Sequence, residues 1–186
     1  YIDGSGTLTK VSTPVVVEKK ACIINGAVTS ENATAFGVDV GYPQGTIDWS
    51  LASQEVDFTI IRIGWKDHID AQFHNNVSGC ETYGVPYGYY IYSYAESISE
   101  AIAEAEWVLE TIASTNPTLP IYFDYEDTRY LTNVPNKKDV CKAFCDTILE
   151  GGEEPGLYTF ISWFRSYFTD SYYDSLPKWI AQIDGF

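Results

Sequence analysis

Three acidic residues interrupt apolar runs where strands would end. Asp39 breaks FGVDV just before the loop Gly41-Tyr42-Pro43, and Asp124 and Glu126 break IYFDYED. Arg62 sits within a comparable run, IIRIG. Asp124 and Glu126 are two apart, so on a strand they project from one face, with Cα atoms roughly 6.6 Å apart, twice the strand rise. Two carboxyl groups at that range suit cleavage of a glycosidic bond. One must be protonated to donate to the leaving oxygen, while the other stays ionised to support the oxocarbenium-like centre or its nucleophile. Crowding also raises one pKa, as an acid catalyst near neutral pH requires. A lone DxE pair is common and often marks a solvated strand end. Here both acids end an apolar strand and Asp39 points into the same mouth, an arrangement that is costly unless function demands it.

The elements that would position these residues begin at Ala35. Apolar runs FGVDV (36–40), FTIIRIG (58–64), YGYYIYSY (87–94), LPIYFDYED (119–127), PGLYTF (155–160) and KWIAQI (178–183) read as buried strands. Amphipathic stretches lie between them. In the third, Ile98, Ile102, Ala105, Val108, Leu109 and Ile112 recur at three and four, the helical period. Asp48, Ser97 and Asn136 are placed to start helices, and Gly84 and Gly151-Gly152 to stop them. Strands alternating with helices imply an α/β fold with parallel strands. A barrel and a doubly wound sheet both satisfy the pattern. No GxGxxG follows the first strand and no P-loop occurs, which removes the usual nucleotide-binding versions. Residues 1–34 differ: PVVVEKKACIINGAV reads as two short strands and TSENATA as a linker, so the chain divides into an extension (1–34) and a barrel-like domain (35–186).

Bulk composition narrows the partners. The formal net charge of −15 repels phosphate backbones and anionic lipid, so neither nucleic-acid binding nor membrane docking is expected. No apolar run is long enough to span a bilayer. The chain starts at Tyr1 and contains no Met, and reads as a piece of a longer protein. An aromatic share of 16% suits either core packing or rings that cover the C–H face of a sugar. Cys22, Cys80, Cys141 and Cys145 form no CxxC pair and do not cluster with His68 and His74. They read as buried thiols rather than a zinc site.

Taken in order, FGVDVGYPQGTIDW, FTIIRIGW, DAQFHNNVSGCETYGVPYGYYIYSYA, LPIYFDYED, PGLYTFISWF and KWIAQ resemble glycoside hydrolase family 25, the bacterial and phage muramidases, from about Phe36 to Gln182. The resemblance implies a flattened TIM-like (β/α)5β3 barrel. It implies hydrolysis, without metal or cofactor, of the β-1,4 bond from N-acetylmuramic acid to N-acetylglucosamine in peptidoglycan. By the same resemblance Asp39, Asp124 and Glu126 are catalytic, with Glu126 the proton donor. Tyr90, Tyr158, Trp179 and Asp70 are substrate-binding residues. The partners implied are peptidoglycan glycan strands, the state monomeric, and the location extracellular or bound to the bacterial cell wall. The family continues for roughly 30 more residues, two strands and their loops, to a further aspartate. Asp184 is too close to WIAQ to be that residue, so the last strands are expected to be missing from this chain. The loop after Gly64-Trp65 is also short for the family.

Three rivals remain. A glycan-binding module on the same barrel would need the aromatics but not the acids. A family 18 chitinase would need DxDxE, but Tyr122 stands where the middle Asp should be. A metallohydrolase would gather Asp39, Asp124 and Glu126 on Mg²⁺, without any phosphate-binding element to support it.

Overall fold

The order in which the strands pair decides between the two architectures that the alternation allows. The computed structural model describes residues 35–181, together with 23–24 and 27–28. β1 (Ile23–Ile24) and β2 (Ala27–Val28) form a separate antiparallel pair, in the stretch read as two short strands. The rest of the 1–34 segment, with Cys22, and the C-terminal residues Gln182 and Asp184 lie outside the described residues. The main sheet comprises β3 (Gly37–Val40), β4 (Phe58–Trp65), β5 (His68–Ile69), β6 (Tyr87–Tyr92), β7 (Ile121–Asp124), β8 (Pro155–Phe160) and β9 (Lys178–Ala181). Its path is β3-β4-β6-β7-β8-β9, all parallel, with β5 antiparallel to β4. Every parallel strand adds beside the one before it. A doubly wound sheet reverses direction at a switch point; this one never does, and it curls as a half-barrel. Among the described residues β3 and β9 are its two edges.

Among the described residues seven α-helices lie between the strands: α1 (Trp49–Ala52), α2 (Phe73–Tyr83), α3 (Ile98–Ile112), α4 (Thr128–Leu131), α5 (Lys137–Glu150), α6 (Ile161–Ser166) and α7 (Ser171–Ser175). Their starts follow local chemistry. Asp48 accepts from the Ser50 amide at 3.0 Å, and Ser97 accepts from Glu100 at 3.3 Å while the Glu100 carboxylate takes the Glu96 amide at 2.7 Å. Asn136 opens α5 without a side-chain cap. Gly84 ends α2 in the left-handed conformation, φ 69°.

Alternation along each strand sends one set of side chains toward the helices. Ile61, Ile63, Tyr89, Ile91, Ile121, Phe123 and Leu157 are fully buried there. Each such aliphatic or Phe side chain contributes about 1.5–3 kcal/mol relative to exposure. Phe123 stacks on Phe144 of α5 with centroids 4.2 Å apart, and Cys141 and Cys145 lie buried as free thiols on the same helix. Cys80 is likewise free and buried on α2. Gly79 lets α1 dock on α2, because a Cβ there would come within 2.0 Å of the Trp49 ring.

Two details depart from the sequence reading. The short loop after Trp65 is a tight hairpin: Trp65 pairs with His68, and Lys66 turns the chain at φ 51°. Gly64 is required there, since a Cβ would meet the His68 carbonyl at 1.9 Å. On α3, Ile98 opens to solvent while Glu104 is buried. The helical period is present, but its inward stripe runs through Ala101, Glu104, Ala105, Val108 and Ile112. Glu104 turns inward because it accepts hydrogen bonds from the Ser93 hydroxyl (2.6 Å) and the Tyr94 amide (3.3 Å), fixing the loop after β6.

Burial raises the Glu104 pKa to about 7, partly offset by those two hydrogen bonds. The folded state therefore binds this proton more tightly than the unfolded chain. The associated stability is present below about pH 4.5 and is lost as pH rises through about 7. Glu104→Gln mimics the protonated form, so its melting temperature should gain on wild type by a few degrees between pH 4.5 and 7. Parallel thermal melts across that range would show a constant gap if Glu104 were not the titrating group.

Candidate functional site

The residues on the other side of the pleat face the concave side of the half-barrel. Register places them in rows: Asp39 beside Ile60, Arg62 beside Tyr90 and then Tyr122, and Tyr92 beside Asp124, Tyr158 and Trp179. Asp39, Asp124, Tyr90, Tyr158 and Trp179 thus share one face, as the sequence suggested. Trp179 is the hub of the aromatic floor, with centroids 4.6 Å from Tyr158, 5.6 Å from Tyr122 and 5.8 Å from Tyr90. Gly156 makes room for Tyr122, since a Cβ there would sit 2.6 Å from its ring.

β7 ends at Asp124, so Glu126 stands on the following segment rather than on the strand itself. It nevertheless faces the same way. The Tyr125 amide donates to the Tyr158 carbonyl at 2.9 Å, and its carbonyl accepts from the Thr159 hydroxyl at 2.6 Å, which prolongs the pairing of β7 with β8. Tyr125 points into the core and donates its hydroxyl to the Ala95 carbonyl at 3.1 Å. With Tyr125 anchored inward, the residues on either side of it turn to the concave face.

Electrostatics single out Asp124. It is 4% exposed, and its Oδ1 has no hydrogen-bond partner among the described residues. Burial pushes its pKa well above the usual value. Glu126 adds to the rise, Arg62 opposes it, and Asp39 and Asp127 raise it further. Glu126 is half-buried and also raised, by burial first; the Tyr158 hydroxyl turned toward it partly offsets this, and Asp127 adds to it. Asp39 keeps an open side to solvent, yet the surrounding protein crowds its carboxyl and raises its pKa too. Three acids whose protons are held more tightly than normal therefore share one mouth, a pattern typical of acid–base sites.

Asp70 stands differently. It is 2% exposed and gives its carboxylate to backbone, accepting from the Gln72 amide at 2.8 Å and the Tyr42 amide at 3.0 Å. It ties the loop after β3 to the start of α2, below the mouth. Its link to the concave face is Arg62, whose Nε lies 4.0 Å from Asp70 Oδ2.

Arg62 was visible in the sequence as a polar break in a strand, but its surroundings were not. The guanidinium lies over the rings of Trp65 (5.0 Å), Tyr92 (5.6 Å) and Tyr42 (5.7 Å). Asp127 also escaped notice, though it directly follows the DxE pair. Buried to 4% exposure, it accepts from Arg129 Nη2 at 2.6 Å, Arg129 Nε at 3.0 Å and the Tyr92 hydroxyl at 3.1 Å. Arg129 holds its pKa below the ordinary value, so it is a fixed negative charge beside Glu126. Among the described residues no group of three or more His, Cys, Asp or Glu side chains is arranged to hold a metal ion.

A family model described as glycosyl hydrolases family 25 matches residues 38–185. No match is found among curated proteins. Among solved structures, the modular autolysin LytC from Streptococcus pneumoniae is 26% identical with a TM-score of 0.63, over 70% of this chain and 33% of its own. This chain thus spans about a third of that autolysin's length. A family 25 glycosyl hydrolase from Bacillus anthracis is 23% identical, TM-score 0.66, covering 80% of this chain and 70% of the other. The bacterial lysozyme from Streptomyces coelicolor is 21% identical, TM-score 0.67, covering 81% and 75%. The last two similarities are of fold.

The Asp124 environment has a measurable cost. Its folded pKa lies above the unfolded value of 3.8, so stability is greatest where the group is protonated in both states and falls as pH rises past that value. Asp124→Asn should melt about 2–4 °C higher than wild type at pH 7, the shift expected for roughly 1 kcal/mol in a domain of this size. The gap should narrow toward pH 3.5. An Asn variant less stable than wild type at pH 7 would mean that the carboxylate is well compensated in the fold.

Proposed function

The chain belongs to glycosyl hydrolases family 25, and from that membership we propose that it is an N-acetylmuramidase, cleaving the β-1,4 bond between N-acetylmuramic acid and N-acetylglucosamine in peptidoglycan. The observation that carries this reading is the pairing of Asp124, buried and with an unpartnered Oδ1, with Glu126 above an aromatic floor. Lysozyme and autolysin neighbours, one of them solved with a synthetic peptidoglycan ligand, support the substrate class.

In the proposed reaction Glu126 is the acid. Its raised pKa keeps a proton available, and that proton passes to the glycosidic oxygen as the C1–O bond breaks. Asp124 is a poor nucleophile while burial holds its proton. It is better placed to orient the 2-acetamido group through its free Oδ1, accepting from the amide N–H. The acetamide oxygen then closes on C1 as the leaving group departs. Water opens that ring, giving its proton to the Glu126 carboxylate, and returns the acid to its starting form. Arg62 favours the ionised form of Asp124, the form whose carboxylate accepts the acetamide N–H and balances the positive charge as the acetamide closes on C1. Asp39 lines the near side of the cleft, Tyr90, Tyr158 and Trp179 carry the sugar face, and Asp70 contributes through the Tyr42 loop that it holds. The location proposed is extracellular or at the bacterial cell wall; no helix among the described residues is long and apolar enough to cross a membrane.

The aromatic floor around Trp179 motivates a second reading, a non-catalytic glycan-binding module. Kinetics separate the two. Glu126→Gln should lower reducing-end release from purified cell walls by roughly 10²–10⁴-fold, the worth of general acid catalysis. Turnover should persist in EDTA. Trp179→Phe is preferable to Ala here, because Trp179 packs against three tyrosines. It should weaken binding of wall fragments, whereas Asp124→Asn should leave binding nearly unchanged and abolish turnover. If wild type binds fragments but releases no reducing ends at any pH, the binding module replaces the enzyme.

A further inference from the structure

An arginine carries five N–H donors and no acceptor. Around the mouth, Arg129 spends its donors on Asp127 through two side-chain hydrogen bonds of 3.0 and 2.6 Å. Lys66 lies over the Tyr94 ring at 5.4 Å. Arg62 is different. Among the described residues its Nε is buried without a hydrogen-bond partner, and its one ion pair is with Asp70 at 4.0 Å, beyond hydrogen-bond range. Asp70 has already given that carboxylate to two backbone amides.

The side chain is nonetheless held in place. Three rings from three segments, Tyr42, Trp65 and Tyr92, surround the guanidinium at 5.0–5.7 Å. Gly41 closes against its stem, for a Cβ there would lie 3.1 Å from Arg62 Cβ and 3.2 Å from Cδ. Cation–π contact stabilises the charge but satisfies none of the in-plane donors. A fixed guanidinium with unspent donors is preorganised for an acceptor brought by a ligand.

The charge balance says what kind of acceptor. Asp127 is a fixed negative charge at the mouth, on a chain of net charge −15. An anionic substituent would be repelled unless a cation received it. Muramic acid differs from glucosamine by a lactyl ether whose carboxyl oxygens form such a group, as a free carboxylate or as the carbonyl of an attached peptide.

We propose that Arg62 is the specificity-determining residue for the lactyl group, its guanidinium receiving the carboxyl oxygens of the muramyl ring on the Tyr42–Trp65–Tyr92 side of the mouth. This rests on the muramidase reading and sharpens it, since it names the contact that separates a muramyl glycan from a plain N-acetylglucosamine polymer. The lactyl contact is made with substrate and transition state alike, so this contact governs affinity rather than the chemical step.

The test uses the full chain with Glu126→Gln, so that ligand is not consumed. Binding is measured by calorimetry for two probes of one backbone. The first is a tetrasaccharide of alternating N-acetylglucosamine and N-acetylmuramic acid with free lactyl carboxylates; the second is chitotetraose. The first should bind more tightly, and its advantage should shrink with added salt. Adding Arg62→Gln should weaken the muramyl probe by about 10–100-fold, the worth of a hydrogen bond to a charged group, and chitotetraose little. Arg62→Lys keeps the charge and stem and should recover part of the loss. Equal weakening of both probes, or none, overturns the proposal while leaving the muramidase reading to stand on wild-type turnover. Failure of the Glu126→Gln protein to bind either probe, together with no wild-type turnover on cell walls, overturns both.

Discussion

A carboxyl group held almost out of solvent at the end of β7 is the constraint around which this fold is arranged. Removing a carboxylate from water without a partner is among the most expensive things a fold can do. Asp124 stays because its backbone cannot leave. The Ser93 amide donates to its carbonyl at 2.9 Å, Tyr92 and Tyr158 flank it in register, and the next residue is tied to Tyr158 and Thr159. Local relaxation that would hydrate the side chain would have to break the centre of the sheet. The group responds by holding its proton, and the neighbouring acids and Arg62 set how tightly. Such sites trade stability for a poised charge.

The acids around the mouth divide by what their oxygens do. Asp48 caps a helix, Asp70 takes two backbone amides, Asp127 takes Arg129 and Tyr92, and Glu104 takes Ser93 and Tyr94. These carboxylates stitch loops to elements. Among the described residues Asp124 Oδ1 has no such partner, and Asp39 stays exposed to solvent. A spent carboxylate stabilises; an unspent one in a concave face is available to a ligand. The same distinction separates Arg129 from Arg62.

Period and punctuation carried most of the fold. β8 spans the run PGLYTF, and the caps at Asp48 and Ser97 form because their side chains need only the next turn. The barrel-like strand order was not readable from alternation, because both α/β architectures use the same local units. The Asp124–Glu126 pair was legible through its two-residue spacing, although its geometry depends on Tyr125 bonding to β8, more than 30 residues away. Arg62 was visible only as an odd residue, since the rings around it come from positions 42, 65 and 92. Composition could not turn Glu104 inward or Ile98 outward either. The decisive partner, Ser93, belongs to another element.

The high aromatic share, ambiguous in composition, divides along the pleat. Phe123, Tyr89, Tyr125 and Phe144 are fully buried on the helix side and serve packing. Tyr90, Tyr122, Tyr158 and Trp179 are half-buried on the concave side. A concave face open to water meets a problem there. Aliphatic residues on it would form an exposed apolar patch, and charged ones would leave the rows without cohesion. Tyr and Trp meet both demands, because their ring bodies pack edge to face while a hydroxyl or indole N–H stays at the wet end. Trp179 does this on β9, packed against three tyrosines of the same face. Rings that keep the inner face ordered in water are also the rings that the apolar face of a sugar fits, so the proposed substrate surface asks nothing of these positions that a solvent-facing cleft does not already require.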